Sequence, residues 1–304
     1  MKRLIVICGA TASGKSDLAV ELARRRGGEV VSCDSMQLYR GMDIGTATPD
    51  EKDMRGVRHH LISVIDPNER VSAAAYRNMA LSAIEDIVLR GRLPLLCGGT
   101  GLYINALTKP LGFSVEGDEA IRSRLTDISN EPGGREKLHE MLRDIDKESA
   151  NRLHVNDLRR VIRAIEVCEI TGKPLSWHMR NDREREGDFE GALYAIEWPR
   201  ETLYERIDRR VDAMVAAGLL DEVKSLLGAA DPRATAMQAI GYKELAGFLR
   251  GDESLESAVE AIKQNTRRYA KRQLTWFRND ERVVWLKADD PDKLADEIII
   301  REDL

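Results

Sequence analysis

Eight residues near the start of the chain, Gly9-Ala10-Thr11-Ala12-Ser13-Gly14-Lys15-Ser16, match the full spacing G-x-x-x-x-G-K-[ST]. The glycines let the backbone turn so that successive N–H groups point at phosphate oxygens, and the N-terminus of a following helix adds partial positive charge. In such a loop Lys15 neutralises the outer phosphate and the Ser16 hydroxyl ligates Mg2+. The pattern selects a polyphosphate and leaves the reaction open. Two more groups fall where ligands bind in an open parallel sheet, at the carboxyl ends of strands. Asp34 follows the apolar run 29–33, where a carboxylate serves as general base, as magnesium ligand or as cap of its own turn. Thr100 follows the run 93–97 through Gly98-Gly99. The strand that supplies a nucleotidase with its second magnesium contact ends in Asp; this one offers a hydroxyl, which weakens a plain ATPase reading.

The elements that must position these groups lie in the same stretches. Residues 4–8 read as a buried parallel strand and residues 15–23 as an amphipathic helix, so strand, glycine loop and helix come in the required order. Residues 29–33 and 93–97 read as further strands, separated by turn-rich sequence around Thr46-Ala47-Thr48-Pro49 and Val64-Ile65-Asp66-Pro67-Asn68. Ser72 caps a helix over 73–90, Gly91 ends it, and a short helix follows Gly101. From Gly117 the sequence turns charged and helical, and no strand signal returns until 192–196. Helices over 200–217, 219–227, 236–250 and 255–278, a strand over 283–286 and a helix over 291–299 complete the chain. The fold class is therefore α/β, a P-loop NTPase-like core with a parallel sheet flanked by helices over 1–116 and 191–304. An all-helical domain is inserted over 117–190, with residues 182–188 as a solvated link.

Composition narrows the classes. The 304 residues suit one large or two modest domains, and a net charge of −5 gives no overall bias toward nucleic acid, so any RNA binding rests on local patches. No run of eighteen apolar residues and no leader pattern is present, which implies a cytoplasmic protein without a membrane partner. Cys8, Cys33, Cys97 and Cys168 form no C-x-x-C pair, so neither zinc nor a disulfide framework is expected, and the first three read as small buried hydrophobes. His59 and His60 are adjacent, which in a strand sends them to opposite faces and makes no metal pair. Asp43, in a loop, reads as solvated or structural.

One stretch runs against the acidic balance. From Lys263 to Arg278 there is no Asp or Glu, and Arg268, Lys271, Arg272 and Thr275 share a helix face. A solvated face normally mixes signs. One-signed charge interleaved with Tyr269, Trp276 and Phe277 fits an anionic partner, either an RNA backbone or substrate phosphates.

Six segments in order, Gly9 to Ser16, Asp34 to Ala47, Gly98 to Tyr103, Asp157 to Glu166, Gln238 to Glu244 and Arg272 to Arg278, together resemble the tRNA dimethylallyltransferases, also called tRNA isopentenyltransferases. The resemblance covers nearly the full chain. It implies transfer of a dimethylallyl group from dimethylallyl diphosphate to N6 of the adenosine 3′ of the anticodon, position 37. The loop would then hold a departing diphosphate, with Gly9, Ala10, Thr11, Ala12, Ser13, Gly14, Lys15 and Ser16 around it and Mg2+ as cofactor on Ser16. Asp34 would be the base, with Thr100 and Lys15 as its catalytic companions. Contacts to the tRNA anticodon stem-loop would come from Asp34, Ser35, Met36, Gln37, Thr100, Arg122, Leu158, Arg159, Arg160, Val161, Ile162, Ala239, Ile240, Gly241, Tyr242, Lys243 and Glu244. A monomer without an obligate protein partner suffices for one tRNA. The alternative from another class is a small-molecule P-loop kinase.

Overall fold

In the computed structural model, which describes residues 2–109, 117–183, 189–190 and 192–304, every residue of β1 (Ile5–Cys8) is buried. That is what an unbroken apolar run requires when helices cover both faces of a sheet. The glycine loop follows, then α1 (Lys15–Arg26), which Gly27 ends in a left-handed conformation with φ of 61°. The chain continues through β2 (Gly28–Ser32), β3 (His59–His60), α2 (Ala73–Leu89), β4 (Leu93–Gly98) and α3 (Gly101–Thr108). The Ser72 hydroxyl accepts the Ala75 N–H and so starts α2 as the sequence predicts. Five helices come next: α4 (Glu119–Asn130), α5 (Gly134–Ile145), α6 (Lys147–Arg152), α7 (Leu158–Thr171) and α8 (Leu175–Arg183). The chain ends with β5 (Leu193–Glu197), α9 (Arg200–Ala216), α10 (Leu219–Leu227), α11 (Tyr242–Arg250), α12 (Leu255–Arg278), β6 (Val283–Lys287) and α13 (Pro291–Glu302).

The six strands make one parallel sheet in the order β3-β2-β4-β1-β5-β6. The loop-bearing strand is thus central, with Val6 opposite Leu96 on one side and Leu193 on the other. Alternate residues serve opposite cores. Val6 and Leu96 pack with Tyr76, Ile84, Tyr103 and Phe277, whereas Ile7 and Leu95 pack with Leu18, Leu22 and Ile298. A third core, around Tyr39, Met42, Leu219, Tyr242 and Ile262, holds the helices from α9 to α12 against the loop after β2.

The chain divides into two compact units, Met1–Leu107 with Phe189–Leu304, and Thr108–Asp188. The second has its own core of Leu125, Leu138, Leu142, Val161 and Ile165. Beside it the fully buried Glu166 receives Arg122 Nε at 2.8 Å and Arg163 Nη1 at 2.5 Å. Most of the link expected at 182–188 lies outside the described residues. Two readings change. The helix expected over 236–250 is a single 3-10 turn, Ala236–Gln238, and then α11, because Gly241 takes φ of 99° between them. Residues 59–60, too short for a periodic signal, form the edge strand β3. Among the described residues no helix is long and apolar enough to cross a membrane.

Candidate active site

The glycine loop is held from outside by its carbonyls. Trp198 Nε1 donates to the Ser13 carbonyl at 2.8 Å and Arg206 Nε to the Ala12 carbonyl at 2.8 Å, with the Arg206 guanidinium 4.5 Å from the Trp198 ring centre. A trans peptide points its C=O and N–H in opposite directions. Tying these two carbonyls outward therefore turns the Ser13 and Gly14 amides inward, where an anion would meet them beside the N-terminus of α1. The turn leaves Ala12 at φ of 61°, a conformation disfavoured by about 1 kcal/mol for a residue with a Cβ. Inside the loop the buried Ser13 hydroxyl has no hydrogen-bond partner among the described residues; a phosphate oxygen would satisfy it.

Thr11, Lys15, Ser16, Asp34, Gln37, Thr46, His59 and Arg210 line one cleft. An adjoining concavity brings Arg206, Arg209 and Arg210 to the same Lys15 and Ser16. Burial lowers the pKa of Lys15, Arg210 adds repulsion, and the Asp34 carboxylate opposes the drop. Arg210 behaves alike, its burial opposed by Asp34 and Asp17. Two cations held together against their preference define an electropositive site that an anion would relieve. These arginines lie outside every motif that the sequence presents. Their signal was Arg206-Ile207-Asp208-Arg209-Arg210, charges at the three- and four-residue spacing of a helix face.

Thr100 is brought against the residues flanking Asp34 because β2 and β4 are neighbours whose ends zip together. Cys33 donates its N–H to the Cys97 carbonyl at 2.7 Å, and Thr100 donates its N–H to the Cys33 carbonyl at 3.1 Å. Any side chain at Gly98 would forbid this, since a Cβ there would lie 2.1 Å from the Cys33 oxygen. Thr100 Oγ1 then accepts the Ser35 N–H at 3.1 Å. Asp34 Oδ1 accepts the Met36 N–H at 2.9 Å, so the turn-capping role exists, and it uses one of about four lone-pair sites of a carboxylate. Tyr269 of α12 sits beside Thr100, its phenol held above the ordinary value by burial and by Asp34.

The other candidates sort themselves. Burial pushes the Cys8 thiol up to about 12 and the Cys97 thiol up to about 11, and it raises Cys33 as well, so none is a thiolate nucleophile. His60 Nε2 lies 2.7 Å from Glu29 Oε2 while His59 faces the cleft, on opposite sides of β3. Among the described residues no group of three His, Cys, Asp or Glu side chains could hold a metal. The donors present, Ser16 and Asp34 in one cleft, are hard oxygens of the kind Mg2+ takes together with phosphate oxygens and water. They fit that ion.

Several side chains expected at an RNA surface are committed to the interior. Tyr242 is fully buried, and Glu244 accepts the Gly241 N–H at 2.8 Å and Asn265 Nδ2 at 2.8 Å, closing the start of α11. Gly241 is buried with them, and Ala239 and Ile240 pack on the third core. In the helical unit Val161 is fully buried, Leu158 and Ile162 pack beside it, and Arg122 is engaged by Glu166. Apolar packing and internal hydrogen bonds take these groups; Arg159, Arg160 and Lys243 remain exposed. Gln37 lines the cleft, its Oε1 accepting the Ser32 hydroxyl at 2.8 Å, while Met36 packs against the third core. On α12, Arg268, Lys271, Arg272 and Thr275 are exposed together, as their spacing requires. Lys263 and Arg267 of the same stretch are instead paired with Asp212 and Asp208 of α9, at 2.7 and 2.5 Å.

A glycine loop between the central strand and its helix, in a parallel sheet covered on both faces, places the chain in the P-loop class of folds. Residues 37–280 match the family model described as IPP transferase. A tRNA dimethylallyltransferase of Acetivibrio thermocellus is 46% identical over 303 residues, covering 99% of this chain and 96% of that protein. Among solved structures, the full-length tRNA isopentenylpyrophosphate transferase of Bacillus halodurans is 43% identical with a TM-score of 0.74, covering 100% of this chain and 96% of that one. A eukaryotic dimethylallyltransferase acting on tRNA is 30% identical with a TM-score of 0.82, covering 100% of this chain and 78% of that one. The chain belongs to the IPP transferase family. The kinase alternative is not favoured.

Proposed function

We propose that this protein transfers a dimethylallyl group from dimethylallyl diphosphate to the exocyclic N6 of the adenosine 3′ of the anticodon, position 37 of tRNA, releasing diphosphate. The observation that carries the reading is the placement of a carboxylate, Asp34, in the cleft that Lys15 and Arg210 line, with the Thr100 hydroxyl bonded to the next residue, Ser35. As N6 bonds to the allylic carbon, the carbon–oxygen bond breaks and its electron pair leaves with diphosphate. The proton that N6 sheds goes to the Asp34 carboxylate, whose remaining lone pairs accept it. Lys15, Arg210 and the inward amides of the loop stabilise the charge that develops on the leaving group. Mg2+, held by the Ser16 hydroxyl, would neutralise further diphosphate charge when bound.

A base inside a stacked loop is out of reach, so the adenosine must be extruded into the cleft beside residues 34–37. The exposed Arg268, Lys271 and Arg272 suit the phosphate backbone of the anticodon stem-loop, and Arg159 and Arg160 suit a second contact from the helical unit. This reading needs only one chain, acting in the cytoplasm where unmodified tRNA is available. Incubation with unmodified tRNA and either dimethylallyl diphosphate or ATP, followed by nucleoside mass analysis, tests it. A C5 mass gain on adenosine is expected; nucleotide turnover without that gain overturns it. Asp34→Ala should keep tRNA binding and lose turnover, whereas equal loss of both would make Asp34 structural.

A further inference from the structure

Gln273 of α12 is buried, 5% exposed, directly behind the two glycine turns of the site. Its Oε1 accepts the N–H of Thr11 at 2.9 Å, and its Nε2 donates to the carbonyl of Gly99 at 3.0 Å. One amide thus spans the phosphate loop after β1 and the turn after β4. The fit is close: a Cβ on Gly99 would lie 2.0 Å from Gln273 Nε2. An amide matches this place as no other side chain of its size does, because it presents one acceptor and one donor in a plane.

The partners of this brace carry the chemistry. Thr11 lines the cleft, and Gly99 immediately precedes Thr100, which is bonded to the residue after Asp34. We propose that Gln273 is a positioning residue that fixes the separation between the diphosphate loop and the Asp34–Thr100 corner, and hence the line between leaving group and nucleophile. It also takes the Thr11 amide out of phosphate binding and leaves that work to later amides of the loop. The inference rests on the proposed transfer reaction for its catalytic consequence, but its effect on the loop is independent of that reaction.

Gln273→Met keeps the volume and removes both hydrogen bonds; Gln273→Glu keeps the acceptor for Thr11 and sets a second acceptor against the Gly99 oxygen. In Gln273→Met we expect kcat to fall about tenfold or more, KM for dimethylallyl diphosphate to rise, and the Kd for tRNA to stay unchanged. Binding of inorganic pyrophosphate with Mg2+, measured by calorimetry without tRNA, should weaken about tenfold in the same variant. A purely structural brace would lower the melting temperature while the folded protein kept its kcat and its pyrophosphate affinity, and that result overturns the proposal. Should Gln273→Met show no cooperative melt, the same two measurements on Gln273→Glu decide, with wild-type values overturning it. If the wild-type protein transfers nothing to tRNA, the reaction is wrong, and the pyrophosphate measurement still decides the role of Gln273.

Discussion

Tyr242 donates its hydroxyl to Glu222 at 2.6 Å, and the same carboxylate gathers the N–H groups of Asp43, Ile44 and Gly45 at 2.9, 2.7 and 3.0 Å. Burial and the Glu222 charge both hold the Tyr242 phenol above its ordinary value, so it stays a donor. Tyr242 also lies so close to Gly45 that a Cβ there would sit 2.5 Å from its ring. The pair ties α10 and α11 to the loop whose Thr46 lines the cleft.

The loop should therefore depend on the carboxylate more than on the phenol. Glu222→Ala strands three amides and a hydroxyl and should cost about 3 kcal/mol or more, whereas Tyr242→Phe removes one bond and should cost about 1 kcal/mol. Denaturant unfolding of both variants measures this. Equal losses would mean that solvent satisfies the amides of Asp43, Ile44 and Gly45 once the carboxylate is gone.

Arg210 should act on the diphosphate and not on the RNA. With Lys15 and Ser16 it lines both concavities of the site. In Arg210→Met, KM for dimethylallyl diphosphate should rise about tenfold to a hundredfold, the value of a charge-assisted bond in a partly buried site, at unchanged tRNA affinity. Arg206→Met should harm the loop itself, because Arg206 is bonded to the Ala12 carbonyl. Matching effects on tRNA binding would place Arg210 elsewhere in the mechanism.

What the sequence made legible was local in kind. The glycine loop, the strands that lead to Asp34 and Thr100, and α12 to its last residue could be read because each is a short pattern with its own period or spacing. The exposed row of Arg268, Lys271 and Arg272 followed from helix geometry alone. What stayed hidden depends on distant chain segments. Arg210 and Gln273 reach the site, and Glu222 the loop beside it, from helices far along the sequence; the spacing from Arg206 to Arg210 marks a helix face but not the direction it turns. The motif Gln238 to Glu244 matched a family segment, but a match does not say which side chains face out. Tyr242 and Glu244 turned out to hold the turn from within.

Acid should loosen the edge of the sheet first. Glu29, 5% exposed on β2, receives Arg90 Nη2 at 2.8 Å and His60 Nε2 at 2.7 Å. The Arg90 guanidinium, aided by His60, holds its carboxyl down at about 2, against an ordinary value of 4.5. Between these two values the unfolded chain binds the proton and the folded chain does not. The stabilisation is thus complete above pH 4.5 and is lost as pH falls toward 2; it amounts to about 3 kcal/mol. Glu29→Gln should be less stable than wild type at pH 7 and should show a flatter loss over that window. Parallel acid-unfolding curves for the two proteins would rule out Glu29 as the linked group.

The two halves of the basic stretch on α12 should separate in a salt titration. Lys263 and Arg267 are paired with Asp212 and Asp208 and so are already neutralised within the fold. Arg268, Lys271 and Arg272 are exposed, and among the described residues no carboxylate pairs with them. Only unpaired cations can release counterions from an RNA backbone, and each phosphate neutralised contributes about 0.7 to 0.9 to the slope of log affinity against log salt. Replacing Arg268, Lys271 and Arg272 by Gln should weaken tRNA binding and lower that slope by about 2. Replacing Lys263 and Arg267 by Gln should leave the slope in place and reduce thermal stability, since the α9–α12 contact loses its ion pairs while Asp212 and Asp208 keep their charge. A slope that falls in the Lys263 and Arg267 variant and holds in the other would show that the helix meets RNA through its paired side and would displace the exposed row as the groove.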